Sequence, residues 1–263
     1  MPLPLPQVRP ALEAMAAAGL PLLVHGEVTG GEVDIFDREA RFLEDVLAPL
    51  LASVPALRVV LEHITTRQAV EFVRAAPQGR LGATVTPQHM LLNRNALLVG
   101  GLRPHNYCLP ILKREEHRCA CAASCDVMLA VCADAPACAR ACGSEAVAAA
   151  ATSGDSRFFL GTDSAPHARG AKECACGCAG VFSAHAALPL YAAAFEAAGA
   201  LDKLEGFASL HGPAFYGRRP NAGRVTLRRR AWRVPDEYAF GDTTVVPFGA
   251  GQDMAWTVEA NSN

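Results

Sequence analysis

Apolar residues along this chain follow two spacings, one typical of helices and one typical of buried strands. The predicted strands are short apolar runs at residues 20–24, 57–61, 81–86 and 157–160, and the predicted helices cover residues 9–19, 37–51 and 66–76. Short apolar strands that alternate with helical segments are typical of βαβ units. The pattern therefore predicts an α/β fold built on a parallel sheet.

The remaining segments predict no second domain. Residues 88–110 are rich in Asn, Gly and His and predict a functional loop after the third strand. Residues 119–143 form a Cys/Ala-rich insertion, interpreted as an exposed enlargement of a helical region, with a metal-binding module as the alternative. Helices are predicted at residues 184–198 and 204–210, and extended segments at residues 224–263. We predict a single domain over residues 1–263.

Composition narrows the possible functions. The 263 residues are 51% hydrophobic and 19% charged with a net charge of -2, which excludes a disordered chain and leaves no basic surface for nucleic acid or anionic lipid. No apolar stretch approaches the roughly 18 residues of a bilayer span, and the start does not resemble a secretory signal. We expect a small-molecule substrate, no nucleic-acid or membrane partner, and reduced cysteines.

Potential metal ligands follow three of the predicted strands. His25, His63 and Asp163 each lie at the carboxyl end of a strand, the rim on which α/β barrels build their active sites. His25 and His63 are one βα unit apart, so their imidazoles could share an ion that Asp163 reaches from a later strand. Imidazole and carboxylate ligands suit zinc with an open position for water. The alternative is that these are hydrogen-bonded structural residues.

Several sequence strings, in this order, resemble one enzyme family. They are LLVHGEVT (22–29), IFDREARF (35–42), EHITT (62–66), TPQH (86–89), RPHNYCLPILKR (103–114), GTDSAPH (161–167) and KECACGCAG (172–180). Together they resemble dihydroorotase of the shorter bacterial and plant type, in the amidohydrolase superfamily. The resemblance extends from about residue 20 to residue 221.

The resemblance implies a (β/α)8 TIM barrel of the metal-dependent hydrolase type, with two zinc ions bridged by hydroxide. The implied reaction is the reversible hydrolysis of (S)-dihydroorotate to N-carbamoyl-L-aspartate in pyrimidine biosynthesis. His25 and His63 are implied to bind the second zinc. Asp163 is implied to bind the first zinc and to act catalytically by moving a proton between the bridging water and the ring nitrogen.

The resemblance also implies three substrate-binding residues. His167 would donate to the substrate carboxylate, and main-chain groups at Leu109 and Ala179 would pair with the amide edges of the ring. Arg103 and His105 would either line the site or anchor its loop. The cysteines at 174, 176 and 178 fit the substrate loop of the family better than the alternative, a zinc knuckle.

The sequence also departs from the family pattern. It has no H-x-H pair, and neither the bridging lysine nor the upstream arginine and asparagine of the family can be matched. The matched segments correspond to strands five to eight, so we predict only the later half of the barrel plus a C-terminal extension, incomplete at the N-terminus. An open half-barrel exposes sheet edges, and we expect little dihydroorotase activity from this chain alone.

Two other functions stay open at this point. One is a non-catalytic remnant that binds a partner or oligomerises, and the other is a different cyclic-amide amidohydrolase such as a hydantoinase. Relatives of this type imply a possible homodimer. The expected compartment is the cytoplasm, or a mitochondrion or plastid for a plant or algal source.

Overall fold

The computed structural model describes residues 5–118 and 147–259. Its centre is a parallel sheet of four strands, β1 (Leu22–His25), β2 (Val59–Glu62), β3 (Leu81–Val85) and β4 (Phe158–Leu160), which lie side by side in sequence order. All four predicted strands are confirmed. Parallel strands in sequence order with helical connections are the arrangement of consecutive units in a (β/α)8 barrel.

Helices precede, connect and follow the strands of the sheet. They are α1 (Leu5–Ala17), α2 (Arg38–Phe42), α3 (Ala48–Ser53), α4 (Arg67–Ala75), α5 (Pro87–Leu91), α6 (Asn95–Leu98), α7 (Glu115–Arg118), α8 (Val147–Thr152), α9 (Arg169–Lys172), α10 (Ala187–Ala197) and α11 (His211–Tyr216). The helix predicted at 37–51 forms with a π-helical turn, Leu43–Leu47, between α2 and α3. The helix predicted at 204–210 forms as a π-helical turn at Gly206–Leu210. Within the described ranges, no helix is long and apolar enough to cross a membrane.

Alternate residues of β2 divide between the two faces of the sheet, as the two-residue repeat of a strand requires. Val59 and Leu61 belong to the main core, which fills the space between the sheet and its helices. Val60 packs instead with Phe159 and Phe215 on the other face. Burying a side chain of this size contributes about 1.5–3 kcal/mol, so both faces of β2 stabilise the sheet.

The face that carries Val60 becomes polar at the carboxyl ends of the strands. His25 pairs in register with Glu62, two residues beyond Val60. Thr84 of β3 lies on the same face, because it is two residues beyond Gly82, the partner of Val60. Its hydroxyl donates to Glu62 Oε2 at 2.6 Å. The strands therefore bring polar side chains from three neighbouring positions to one rim of the sheet.

The C-terminal region forms two antiparallel strand pairs. β5 (Thr226–Arg233) pairs with β8 (Asp253–Glu259), and β6 (Tyr238–Phe240) pairs with β7 (Thr243–Val245). The predicted extended segments are thus confirmed as far as residue 259. Trp256 Nε1 of β8 donates to Glu196 Oε2 of α10 at 3.0 Å, which ties this region to the helical layer.

The predicted loop at residues 88–110 contains α6 and a 3-10 turn, Pro104–Asn106, and is closed by a buried histidine. His89 Nε2 donates to the carbonyl of Pro110 at 2.9 Å, while its Nδ1 accepts from the Thr86 hydroxyl at 2.7 Å. One side chain therefore joins the two ends of the segment. The predicted insertion at 119–143 lies outside the described residues.

We expect His89 to make the stability of the protein depend on pH. Burial lowers its pKa from 6.5 to about 3, so on acidification the unfolded chain gains a proton that the folded chain does not. The contribution of His89 to the free energy of unfolding is therefore fully present above pH 6.5. It is lost as the pH falls towards 3, by at most about 1.4 kcal/mol per pH unit. Denaturant unfolding across this range should show a shallower pH dependence for His89→Gln. Equal slopes in both proteins would contradict the assignment.

Candidate active site

Two of the predicted ligands meet at the carboxyl rim of the sheet. His25 ends β1 and His63 directly follows β2. His25 Nδ1 and His63 Nε2 lie 3.2 Å apart, and the two rings meet edge to face with their centroids 4.7 Å apart. The structure thus brings together the two imidazoles that their strand-end positions predicted to be neighbours.

The backbone is strained at two predicted ligands. Among the described residues other than glycine, only His63, with φ of 42°, and Asp163, with φ of 43°, have positive φ. This left-handed region costs a non-glycine residue about 1–2 kcal/mol. It persists at His63 because the surroundings hold the peptide, whose N–H donates to Thr84 Oγ1 at 2.7 Å. Strain of this kind concentrates at functional sites.

Burial separates the roles of the two histidines. His63 is 7% exposed, and burial, followed by the neighbouring His25, lowers its pKa to about 4. Its imidazole is therefore neutral at pH 7. His25 is exposed, and its Nε2 lies 2.8 Å from Glu27 Oε2. The Glu27 carboxylate is itself almost inaccessible to solvent, so a buried carboxylate orients the exposed imidazole.

Two carboxyl groups near this rim, those of Glu62 and Asp163, have raised pKa values. Burial raises the pKa of Glu62, and the charge of Asp163 raises it further, against the effect of the hydrogen bond from Thr84. Partial desolvation also raises the pKa of Asp163, against the effect of His25. Each carboxyl group is therefore a better proton acceptor than a free one. Asp163 and its neighbours do not form a complete set of metal ligands. Within residues 5–118 and 147–259, no group of three His, Cys, Asp or Glu side chains could hold an ion.

A buried carboxylate that the sequence pattern did not reveal holds the segment after His63. Glu39 of α2 is 1% exposed, and its Oε2 accepts from the Thr65 N–H at 2.9 Å. Its Oε1 accepts from the Thr66 N–H at 3.1 Å and from the Thr66 hydroxyl at 2.9 Å, and the Thr65 hydroxyl also donates to Oε2. Glu27 was missed as well, although a carboxylate two residues beyond a strand-end histidine is a usable signal.

Replacing Glu39 by alanine should destabilise the protein strongly. The change leaves buried N–H and hydroxyl groups of Thr65 and Thr66 without acceptors, and each such loss costs about 1–3 kcal/mol. We expect the free energy of unfolding, measured with denaturant, to fall by about 3 kcal/mol. Glu44→Ala, which removes an exposed glutamate from the following turn, should change it by less than about 0.5 kcal/mol. Equal effects would show that the buried hydrogen bonds contribute nothing.

The three predicted substrate-binding residues lie on two segments that touch. His167 Nε2 donates to the carbonyl of Ala179 at 3.0 Å, so two of the three are in direct contact. The third, Leu109, is half-buried two residues beyond Tyr107, whose carbonyl accepts from the Gly180 N–H at 2.9 Å. Leu109 and Ala179 therefore lie on adjoining main-chain segments.

The loop around Ala179 is anchored by His105 and lies beside free thiols. His105 Nε2 is 2.9 Å from Glu173 Oε1, a contact that fits the loop-anchoring alternative for this residue. Cys174 and Cys176 are exposed, with their Sγ atoms 3.4 Å apart. Since the described residues contain no three-ligand group, the zinc-knuckle alternative has no support in this part of the chain.

Comparisons with known proteins agree with this arrangement. No family model matches the chain. A dihydroorotase of Laribacter hongkongensis is 60% identical over 247 residues, which are 94% of this chain and 64% of that protein. A dihydroorotase of Aromatoleum aromaticum is 56% identical over 253 residues, which are 96% of this chain and 66% of that protein.

Solved structures decide the family. The crystal structure of dihydroorotase from Campylobacter jejuni is 30% identical and superposes with a TM-score of 0.80, covering 98% of this chain and 67% of that one. The chain belongs to the dihydroorotase family. A Saccharomyces cerevisiae dihydroorotase in complex with 5-fluoroorotic acid is also similar, with a TM-score of 0.78, 27% identity and coverage of 97% of this chain and 67% of that one.

This chain spans about 64% of the length of the curated dihydroorotases that it matches. A D-hydantoinase from Thermus sp. superposes with a TM-score of 0.68 at 13% identity, which shows that the amidohydrolase barrel fold is shared and nothing more. The strand order observed here is that of consecutive units of this barrel.

Dihydroorotases are metal-dependent amidohydrolases, and the residues present fit a metal in part. His63 is neutral at pH 7, the form that binds a transition metal, and its buried Nδ1 has no hydrogen-bond partner. The other ring nitrogen of His63, Nε2, lies 3.2 Å from Nδ1 of a second imidazole, that of His25. Two adjacent imidazoles, one of them held by a carboxylate, are typical of part of a transition-metal site.

Proposed function

We propose that this chain supplies part of a dihydroorotase active site, namely the ligands of the second zinc ion and the residues that bind the substrate. The proposed reaction is the zinc-dependent, reversible hydrolysis of (S)-dihydroorotate to N-carbamoyl-L-aspartate, a step of pyrimidine biosynthesis. The 3.2 Å contact between His25 and His63 at adjacent strand ends supports it most directly, because this is where the family resemblance requires a shared ion. The relatives at 54–60% identity carry the name dihydroorotase, which favours this substrate over a hydantoin.

The chain's residues divide the proposed chemistry among them. His25 and His63 would hold zinc, which, when bound, supplies a Lewis acid that acidifies water and polarises a carbonyl. Asp163 accepts a proton from the attacking water as the new C–O bond forms. It returns that proton to the ring nitrogen as the C–N bond breaks, and its raised pKa suits both transfers.

Substrate binding is proposed at the two touching segments. In its protonated form His167 has two donors, so one ring nitrogen can hold the Ala179 carbonyl while the other meets the substrate carboxylate. Main-chain groups at Leu109 and Ala179 pair with the amide edges of the ring. Glycine at position 180 allows this segment to pack closely against its neighbour, because a Cβ there would lie 2.5 Å from the Ala165 carbonyl oxygen.

The site proposed for this chain needs ligands that the printed sequence does not contain. No H-x-H is present, and the described residues bring together two imidazoles rather than a full ligand set. We therefore propose one amidohydrolase-type domain over residues 1–263, with the insertion at 119–143, whose metal site is completed by ligands outside these 263 residues. A homodimer and a cytoplasmic location, as the bacterial relatives suggest, belong to the same proposal.

A completed chimera tests the function. The part of the Laribacter hongkongensis dihydroorotase that this chain does not match is fused in frame before Met1, and dihydroorotate hydrolysis is followed by ultraviolet absorbance with added zinc. We expect turnover by the chimera, little turnover by the chain alone, and no preference for hydantoin. A folded, zinc-loaded chimera that leaves dihydroorotate intact would refute the proposal. A non-catalytic role would then be the better hypothesis.

A further inference from the structure

Lys172 is a buried lysine whose amine is surrounded by main-chain carbonyls. It ends α9 and is 4% exposed. Its Nζ donates to the carbonyls of Tyr107 at 2.9 Å, Cys178 at 2.8 Å and Gly180 at 2.6 Å. An ammonium group has three donors, so every donor of Lys172 is used on the backbone.

These three carbonyls bracket the proposed substrate-binding positions. Tyr107 lies two residues before Leu109, while Cys178 and Gly180 flank Ala179 on either side. The Gly180 N–H also donates to the Tyr107 carbonyl at 2.9 Å. The segments that carry Leu109 and Ala179 are therefore joined at one point, and Lys172 lies at that point.

We propose that Lys172 is a positioning residue that fixes the separation of the Leu109 and Ala179 main-chain segments, and through it the ring size that the site accepts. The proposal rests on the proposed function, because it concerns the same substrate. Its physical basis is electrostatic. Three carbonyl oxygens that converge on one point repel each other, and a cation with three donors converts that repulsion into attraction.

The surroundings of Lys172 support this role. Burial lowers its pKa to about 8, so at pH 7 the amine is still mainly protonated and keeps all three donors. Lys113 is also buried, yet its Nζ donates to Ile111, two residues away within the same segment. Lys172 instead reaches a carbonyl 65 positions away in the chain.

A shift of the Ala179 segment would also reach the catalytic strand end. The Ala165 N–H donates to the Val181 carbonyl at 3.0 Å, and Ser164 and Val181 form a parallel bridge. Gly180 packs so closely that a Cβ would lie 2.8 Å from Ala165 Cβ. The loop that Lys172 holds is thus packed against the two residues that follow Asp163.

The first test uses hydrogen exchange on the full 263-residue chain and needs no activity. In Lys172→Met, the Gly180 amide should exchange about tenfold faster or more, while β2 amides keep their protection. Lys203→Met, which removes an exposed lysine beside Asp202, should leave Gly180 unchanged. Lys172→Gln, which keeps two donors, should be intermediate and replaces the Met variant if that protein does not fold. Wild-type exchange at Gly180 in a folded Lys172 variant would overturn the proposal.

The second test uses the completed chimera and two rings that each carry one carboxylate. Dihydroorotate is compared with 5-carboxymethylhydantoin, which closes a five-membered ring from the same carbamoyl aspartate. In Lys172→Met we expect KM for dihydroorotate to rise about tenfold, kcat to change little, and the kcat/KM preference for the six-membered ring to fall about tenfold, the equivalent of one lost hydrogen bond. A purely structural role would lower kcat/KM equally for both rings and leave the preference for the six-membered ring unchanged. That result would overturn the proposal.

The two experiments distinguish failure of this inference from failure of the proposed function. If the chimera with Lys172 intact turns over neither ring, the proposed function fails, and the ring-size part of the inference fails with it. The exchange rate at Gly180 still decides whether Lys172 fixes the two segments.

Discussion

Asp163→Asn in the completed chimera is expected to lower kcat for dihydroorotate by about 10²- to 10⁴-fold, the usual contribution of a general base. Asparagine keeps the shape of the side chain but cannot accept and return a proton. The left-handed backbone at this position, with φ of 43°, is compatible with Asn, which tolerates that region better than most residues. The loss should therefore come from chemistry rather than from misfolding.

Rates and metal content are measured on the same samples of the chimera. Asp155→Asn, which alters an aspartate held by Arg157 before β4, at the end of the sheet opposite the rim, serves as the control and should leave kcat within about twofold of the parent. If Asp163→Asn retained full activity, Asp163 would not be the proton carrier. Glu62, whose pKa is also raised by burial, would then be the next candidate.

His63→Ala is expected to lower the zinc affinity of the full chain by at least about 100-fold. Removing a group that only orients a ligand costs about 10- to 100-fold in affinity, and His63 is proposed as a ligand itself. It also enters the site already neutral, because burial lowers its pKa to about 4. No proton therefore has to leave this ring before an ion binds at pH 7.

Competition against a chromophoric chelator measures this affinity, and Co²⁺ absorption identifies the ligands. Thiolate ligands give a strong charge-transfer band that imidazole ligands lack, so binding to the ten cysteines of the chain can be separated from binding at the rim. His211→Ala, which removes a histidine bonded to the Phe158 carbonyl, is the matched control. Equal affinities in His63→Ala and the parent chain would exclude the proposed metal site.

The sequence determined the sheet and the rim of this protein. Apolar runs at 20–24, 57–61, 81–86 and 157–160 became the four strands, in the predicted parallel arrangement, because a run of buried β-formers between helices has few other places in an α/β fold. Placing His25 and His63 at strand ends followed from the same pattern. Parallel strands end at the same edge, so the residues that follow them converge whatever the detailed packing.

Which polar groups are buried, and what they bind, depends on how the folded segments pack together. Glu39 looks like a surface residue of a charged helix, and Lys172, beside Glu173, looks like a surface cation; both are almost fully buried and hold main-chain atoms of distant segments. Their partners lie 27 and 65 positions away in sequence. Local periodicity indicates which face of an element is apolar. A polar contact between distant segments depends instead on how the connecting loops bring those segments together, and their relative position is determined only when the chain packs.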